Sequence, residues 1–239
     1  MTPNHQQDID HHWASDMAMP SEFRPEVESV HCTIQHMYSG VQLFHRDGWL
    51  VIAAPPRQIE RIAARVRGAS VDEVFSVEFV ECILSPDVGT ILGPAHVSYA
   101  DASMFRSSST AGCRMLMPED SAIHQAFANE LSGVELEQSG LDPRSSPAFG
   151  AFSDGMLCAV ASYETWEPRI AHITVATHLD YRRRGYGRAV ISALAEHALA
   201  LGFVLQYRSL AVNGTSLALG RALGFQHYCS TIYARPSET

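Results

Sequence analysis

The segment Tyr-Arg-Arg-Arg-Gly-Tyr-Gly-Arg at residues 181–188 sets Arg182, Arg183, Arg184 and Arg188 around Gly185, Tyr186 and Gly187. Guanidinium forks match phosphate oxygens, and the two glycines remove the side chains that would hold an anion away from the backbone amides. The apolar-periodic run 189–201 reads as a helix, so its unpaired N-terminal N–H groups and positive dipole end face whatever the glycines admit. The chemistry expected of this stretch is capture of a pyrophosphate. Val190 stands where a dinucleotide fingerprint needs its third glycine, and no Gly-Lys-Ser/Thr run occurs, which excludes Rossmann and P-loop phosphate sites.

The elements that must position this loop can be read from apolar periodicity and turn residues. An apolar run at 169–176 predicts a strand leading into it, and Gly202 stops the helix that follows. Upstream, the pattern predicts a short strand at 114–117, a helix at 119–131, an irregular polar connection at 133–147, and strands at 148–152 and 156–163 joined by Ser-Asp-Gly. Downstream come a strand at 203–210, a helix at 214–223 and a strand at 225–234. Residues 1–26, with prolines among polar groups, read as a polar leader with little structure of its own. Residues 27–102 form an N-terminal α/β lobe. In it, His45-Arg-Asp-Gly predicts a hairpin between 41–45 and 49–53, Ile59, Ile62, Ala63 and Val66 share a helical face, and Ser70-Val-Asp-Glu opens a second helix toward Leu84. A strand follows at 91–99, and the Ser/Thr-rich stretch 103–112 is the linker.

The motif Arg182-x-x-Gly185-x-Gly187, taken with its flank from Val175, resembles the acetyl-CoA loop of the GCN5-related N-acetyltransferase (GNAT) superfamily. The predicted β-α-β-β-β-α-β-α-β order over 113–236 is similar to that family's order, as is Asn213-x-x-Ser216 followed by Leu223-Gly224-Phe225. The resemblance covers about half the chain and implies an α+β fold, a mixed, mostly antiparallel central sheet flanked by helices. It implies acetyl-CoA as cofactor, with Val175, Ala176 and Thr177 lining pantetheine through their backbone and Arg182 to Arg188 holding the pyrophosphate. Asn213 and Ser216 would hold the pantetheine or its phosphate end. The activity implied is direct transfer of an acetyl group to a primary amine of a small molecule, peptide or protein. A non-catalytic acyl-CoA-binding or sensing module is the alternative, and transfer of a longer acyl chain a third.

Such transfer needs a general base for the amine and benefits from an acid for the departing thiolate. The sequence offers Glu135, Glu137, Glu164, Glu167 and His172 as bases, alongside a water chain, and does not choose among them. Many enzymes of the family place an acidic tyrosine in the helix after the Asn motif; counting from Asn213 and back from Leu223 puts that position at Gly220. Tyr228 or Tyr233 could substitute, although a thiol pKa of about 8.5 also lets thiolate leave unassisted. The N-terminal lobe is expected to shape the acceptor side, and it could be a decayed copy of the same fold.

Composition narrows the partners. A formal charge of −9 leaves no basic face for nucleic acid. The five cysteines are odd in number and never spaced C-x-x-C, which suits reduced, buried thiols and a cytoplasmic protein. No run has the length of a membrane span, the N-terminus lacks a signal-peptide pattern, and His11-His12 lacks the partners of a metal site. No metal and no membrane are expected, and a homodimer is left open.

Overall fold

The computed structural model describes residues 1–20, 23, 25–85, 88–145, 147–166 and 169–236. It is a mixed α+β architecture in which a mostly antiparallel sheet is flanked by helices. The chain divides into two compact units built from interleaved segments rather than from consecutive halves. The first comprises Met1–Asp8, Tyr99–Tyr207 and Ala218–Gln226; the second comprises Ile9–Ser98, Arg208–Leu217 and the chain from His227 on.

In the second unit, β1 (Val30–Ile34) pairs parallel with β3 (Trp49–Ala54), which pairs antiparallel with β2 (Val41–Arg46), which pairs antiparallel with β10 (Gln226–Pro236). The β2–β3 hairpin forms because Asp47 and Gly48 both adopt positive φ, +49° and +80°, the conformation a two-residue primed turn demands. Helix α2 (Pro56–Val66) starts on a proline, which has no N–H to leave unpaired, and buries Ile59, Ile62 and Val66. Ser70 and Glu73 form the expected capping box, but the helix after it does not run on to Leu84. It splits into α3 (Val71–Val74) and α4 (Val77–Leu84), because Ser76 accepts a bond from the Phe79 N–H and starts a second helix. Leu43, Ile52, Ile62, Val80 and Ile232 form this unit's core.

The leader expected to have little structure is instead a helix, α1 (Pro3–Asp16), which buries Ile9 and Trp13. Trp13 packs on Phe44 with ring centroids 4.9 Å apart. Its polar composition hid the few apolar anchors that decide its docking. Strand β1 and helix α6 (Gly133–Ser139) likewise occupy stretches given no element from periodicity; the missed signal for α6 is the Ser132/Glu135 capping box at its start.

The first unit carries β5 (Cys113–Met115), α5 (Ser121–Glu130), α6, β6 (Ala148–Ser153), β7 (Met156–Trp166), β8 (Ile170–Thr177) and α7 (Tyr186–Ala200). Strands β5 through β8 pair antiparallel in chain order, and β8 pairs parallel with the start of β9 (Val204–Leu210). One face of these strands packs Ala161, Ile173 and Tyr207 against Val190, Ile191 and Leu194 of α7. The other packs Val160 and Ala176 with Phe127 of α5 and Leu141. Helix α8 (Gly214–Ala222) precedes β10.

Candidate functional site

Strand β8 ends at Thr177, and the loop after it is held by its own side chains. His178 accepts a bond from the Asp180 N–H at 3.2 Å and meets Glu130 at 2.7 Å. Arg183 and Gly185 then take left-handed φ of +62° and +90°, and α7 begins. No side chain caps the start of α7, and its first intrahelical bond is Ala189 N–H to Gly185 O at 2.9 Å. The N–H groups of Tyr186, Gly187 and Arg188 therefore lack an intrahelical acceptor, and the positive helix end lies beside the exposed Arg183, Arg184 and Arg188. A Cβ at Gly185 would meet nothing within 4 Å, so this glycine serves by its φ and leaves the amides open. Gly187 serves differently. Its Cβ would lie 2.9 Å from Thr177 Oγ1, so the glycine sets the close approach of α7 to β8. Together, open amides, a dipole and three exposed guanidinium groups are a donor set suited to a pyrophosphate.

Arg182 is engaged elsewhere. Its Nε donates to Thr177 O at 3.1 Å, and its Nη2 donates to Glu135 Oε1. Glu135 also closes the α6 capping box with Ser132. The Arg182 bond, followed by those from Ser132, holds the Glu135 carboxyl at about 2, well below its usual 4.5. Because the folded-state pKa is depressed, this group's stabilising contribution is complete above about pH 4.5 and disappears as pH falls toward 2. We predict that Glu135→Gln flattens the acid loss of stability in that window, its deficit relative to wild type being full above about pH 4.5 and vanishing toward pH 2. Urea midpoints of both proteins across the range check it; an identical acid limb in the two would refute the assignment.

Strand β8 pairs with β9 from Ile170↔Val204 to Ile173↔Tyr207 and with β7 as far as Ala159↔Thr177. The His178 N–H donates to Cys158 O at 2.9 Å, which makes 178, and by alternation 176 and 174, the positions hydrogen-bonded to β7. The N–H and C=O of Val175 and Thr177 consequently point away from β7; Thr177 O meets Arg182 there. The side chains do separate work. Val175 packs with the α7-side core, and Ala176 lies in the core with Phe127. Asn213 caps α8, its Oδ1 accepting from the Ser216 N–H at 3.0 Å.

His172 pairs with Gln206 of β9. Its ring stacks on Trp166 at 4.2 Å and 10°, and its Nδ1 lies 2.6 Å from Gln206 Oε1. The buried Gln206 donates its amide N–H to the Tyr99 hydroxyl, so its oxygen is the atom facing His172. An oxygen that can only accept fixes the tautomer: Nδ1 carries the proton and Nε2 is the basic nitrogen. Neither Gln206 nor Tyr99 was singled out from the sequence. A glutamine inside the apolar run Val-Leu-Gln-Tyr was the available signal, since a buried amide requires partners.

The other acid–base candidates lie in plainer surroundings. Glu164 is exposed and is the cross-strand partner of His172, and Glu137 is exposed on α6. Glu167 falls outside the described residues. In the second unit, the Tyr228 O–H donates to Asp10 at 2.6 Å beneath the Arg46 guanidinium, and burial, then that bond, raises its pKa. Burial likewise raises Tyr233, whose ring lies 4.4 Å from the Arg208 guanidinium carbon. At Gly220 a Cβ would sit 3.0 Å from Tyr207 Cδ1 and 3.2 Å from Cε1, so the Tyr207 ring fills the room beside that glycine. Among the described residues, no group of three or more His, Cys, Asp or Glu side chains is placed to hold a metal ion, and no helix is long and apolar enough to cross a membrane.

Known proteins resemble this chain in fold. A GNAT-family acetyltransferase from Novosphingobium aromaticivorans is 24% identical and superposes with a TM-score of 0.53 over 63% of this chain and 67% of its own, a likeness of fold. A GCN5-related N-acetyltransferase from Kribbella flavida (14% identity, TM-score 0.48) shares 67% of this chain and 64% of its own. For a GNAT acetyltransferase from Colwellia psychrerythraea (12%, 0.46), the shares are 66% and 61%. This chain thus spans less than two thirds of the latter two. No curated protein matches it. The acetyltransferase (GNAT) family model matches residues 113–225, the segment that contains the Arg-Gly loop, β8 and α7. Residues 113–225 are a GNAT-family acetyltransferase segment.

Proposed function

We propose that the protein transfers an acetyl group directly from acetyl-CoA to a primary amine. The observation that carries this reading is the pairing of β8 with β9 at His172 and Ile173. There His172, with its tautomer set by Gln206, and Tyr207, packed with the α7-side core, occupy successive cross-strand pairs and therefore opposite faces of the sheet. The amides of Tyr186, Gly187 and Arg188 with Arg183 and Arg184 would hold the pyrophosphate, and the outward N–H and C=O groups of Val175 and Thr177 would pair with pantetheine amides. Acetyl-CoA supplies the thioester. Transfer forms a C–N bond and breaks the C–S bond, with His172 Nε2 taking the proton the amine loses and the thiolate sulfur gaining one from the Tyr207 phenol. Arg182 acts through the loop, tying it to Thr177 O and Glu135, rather than through the phosphates. The donor set suits a cytoplasmic cosubstrate, as do the five free cysteines.

A binding-only module is favoured by one observation, that α8 offers Gly220 where a helix-borne acid would sit. Release of CoA thiol from acetyl-CoA across a panel of primary amines separates the two, since a sensor releases none above the amine-free rate. For the acid, we predict that Tyr207→Phe lowers kcat by about 10-fold or more near neutral pH, with recovery at high pH where thiolate leaves unaided. Tyr228→Phe should leave kcat unchanged. A Tyr207→Phe enzyme with the wild-type pH profile would remove Tyr207 from this role.

A further inference from the structure

The loop between β8 and α7 contains one imidazole, His178, and both of its ring nitrogens are committed. Nδ1 lies 3.2 Å from the Asp180 N–H, and Nε2 lies 2.7 Å from Glu130 Oε2 on α5. A backbone N–H can only donate, so Nδ1 is the bare nitrogen, and Nε2 carries the proton that it donates to the carboxylate. Both contacts demand the same neutral tautomer. The backbone of His178 closes the turn as well, its N–H donating to Cys158 O at 2.9 Å and its C=O accepting from the Tyr181 N–H at 3.0 Å. That turn runs straight into the arginines, and the Tyr181 ring meets Tyr186, the first residue of α7, edge-on at 5.7 Å and 80°. The ring of His178 therefore bears on where the first amides of α7 stand.

We infer that His178 is a positioning residue for CoA and a proton-sensitive one: it holds the phosphate loop only as the neutral Nε2–H tautomer, so cofactor affinity falls when the ring is protonated. The inference rests on the reading of this loop as the CoA site. A second proton must go to Nδ1, where it meets the Asp180 N–H donor to donor, and the cap is lost. The groups facing the ring are Glu130 from α5, Asp180 and Tyr181 from the turn, and Cys158 from β7, whose thiol burial keeps protonated. The carboxylates favour the charged ring and the cap favours the neutral one. The new charge offers a phosphate little, because Glu130 already meets it at 2.7 Å, and the arginines keep their charge throughout. A side-chain cap, by contrast, is worth about fivefold in the population of the turn it closes. Loss of the cap wins.

Calorimetric titration of CoA into the full chain at about pH 8 and about pH 5, the span over which an imidazole takes its proton, tests this on wild type, His178→Asn and His178→Ala. Asparagine presents an oxygen that accepts the Asp180 N–H and has no proton to gain, and Glu130, 54% exposed, loses little with its partner. His178→Asn should match wild type at the higher pH, and wild type should lose about fivefold more affinity than His178→Asn on acidification. His178→Ala should be about fivefold weaker at the higher pH, with an acid loss no steeper than that of His178→Asn. The phosphate of CoA titrates near pH about 6 in all three proteins, so the ratio between proteins carries the result. Imidazole ¹⁵N shifts should report Nε2–H for His178 at the higher pH. Parallel profiles for wild type and His178→Asn, or an Nδ1–H tautomer, overturn the inference and leave the CoA site standing. Wild-type protein that binds no CoA at either pH would remove the cofactor reading itself, and this inference with it.

Discussion

Replacing His172 by Gln should lower kcat by about 10²–10⁴-fold, the range that a positioned general base contributes, while leaving CoA affinity unchanged. The expectation follows from the tautomer. Gln206 Oε1, 2.6 Å from Nδ1, can only accept, and the Gln206 N–H is directed to Tyr99, so the amide is held in the orientation that keeps the His172 proton on Nδ1. Stacking on Trp166 at 10° fixes the ring plane, which leaves Nε2 aimed by contacts on two sides. Only the unprotonated ring can take a proton, so the wild-type rate should rise with pH through the His172 titration, and that limb should vanish in His172→Gln. Gln206→Leu tests the positioning separately. It should lower kcat by about tenfold and shift the limb with KM little changed, because the imidazole remains while its tautomer is no longer held. A His172→Gln enzyme with a wild-type pH profile would mean that Glu164, a water chain or another group does this work.

Gly187→Val should weaken CoA binding by about 30-fold, equivalent to about 2 kcal/mol, the upper range for an anion at a well-formed helix N-terminus. A Cβ there lies 2.9 Å from Thr177 Oγ1, and valine adds two more carbons beside the strand, so α7 must move away from β8 and carry its first-turn amides with it. The effect is steric against the strand rather than an obstruction of the open loop, which separates it from Gly185, where only the left-handed backbone is at stake. A double-mutant cycle makes the distinction measurable. Gly187→Ala alone should weaken CoA binding, and Thr177→Ala, which removes the offending oxygen, should restore most of the loss in the pair. Calorimetry on folded proteins decides it. Unchanged affinity in Gly187→Val would remove the main support for this cofactor site.

Local chemistry was legible wherever one short stretch contains both the signal and the partner. The Asp47-Gly48 turn, the Ser70/Glu73 box and the Gly185 start of α7 are each decided within four residues, so sequence spacing suffices. The same reasoning misjudged α1, because its helix is stabilised by burial of Ile9 and Trp13, and docking partners such as Phe44 lie some thirty residues away. The predicted continuous helix to Leu84 failed for a local reason, since Ser76 is itself a cap and outcompetes the apolar periodicity around it.

Apart from α6, the order of elements over 113–225 was legible in the sequence alone, as was the cationic, glycine-rich character of the Arg-Gly loop, because periodicity, glycine φ and guanidinium charge need no distant contact. Tertiary structure decided which of those residues are available. Arg182 looked equivalent to its neighbours until Glu135, 47 residues earlier, was brought against it. His172 was one of several bases of equal standing until β9 supplied Gln206, 34 residues later, and Tyr99 fixed that amide from 107 residues before it. The role of Gly187 depended on where Thr177 falls across the turn. A side chain's charge and shape are written in its own identity, but its protonation, tautomer and freedom are set by the atoms packed against it, and those arrive only through long-range folding.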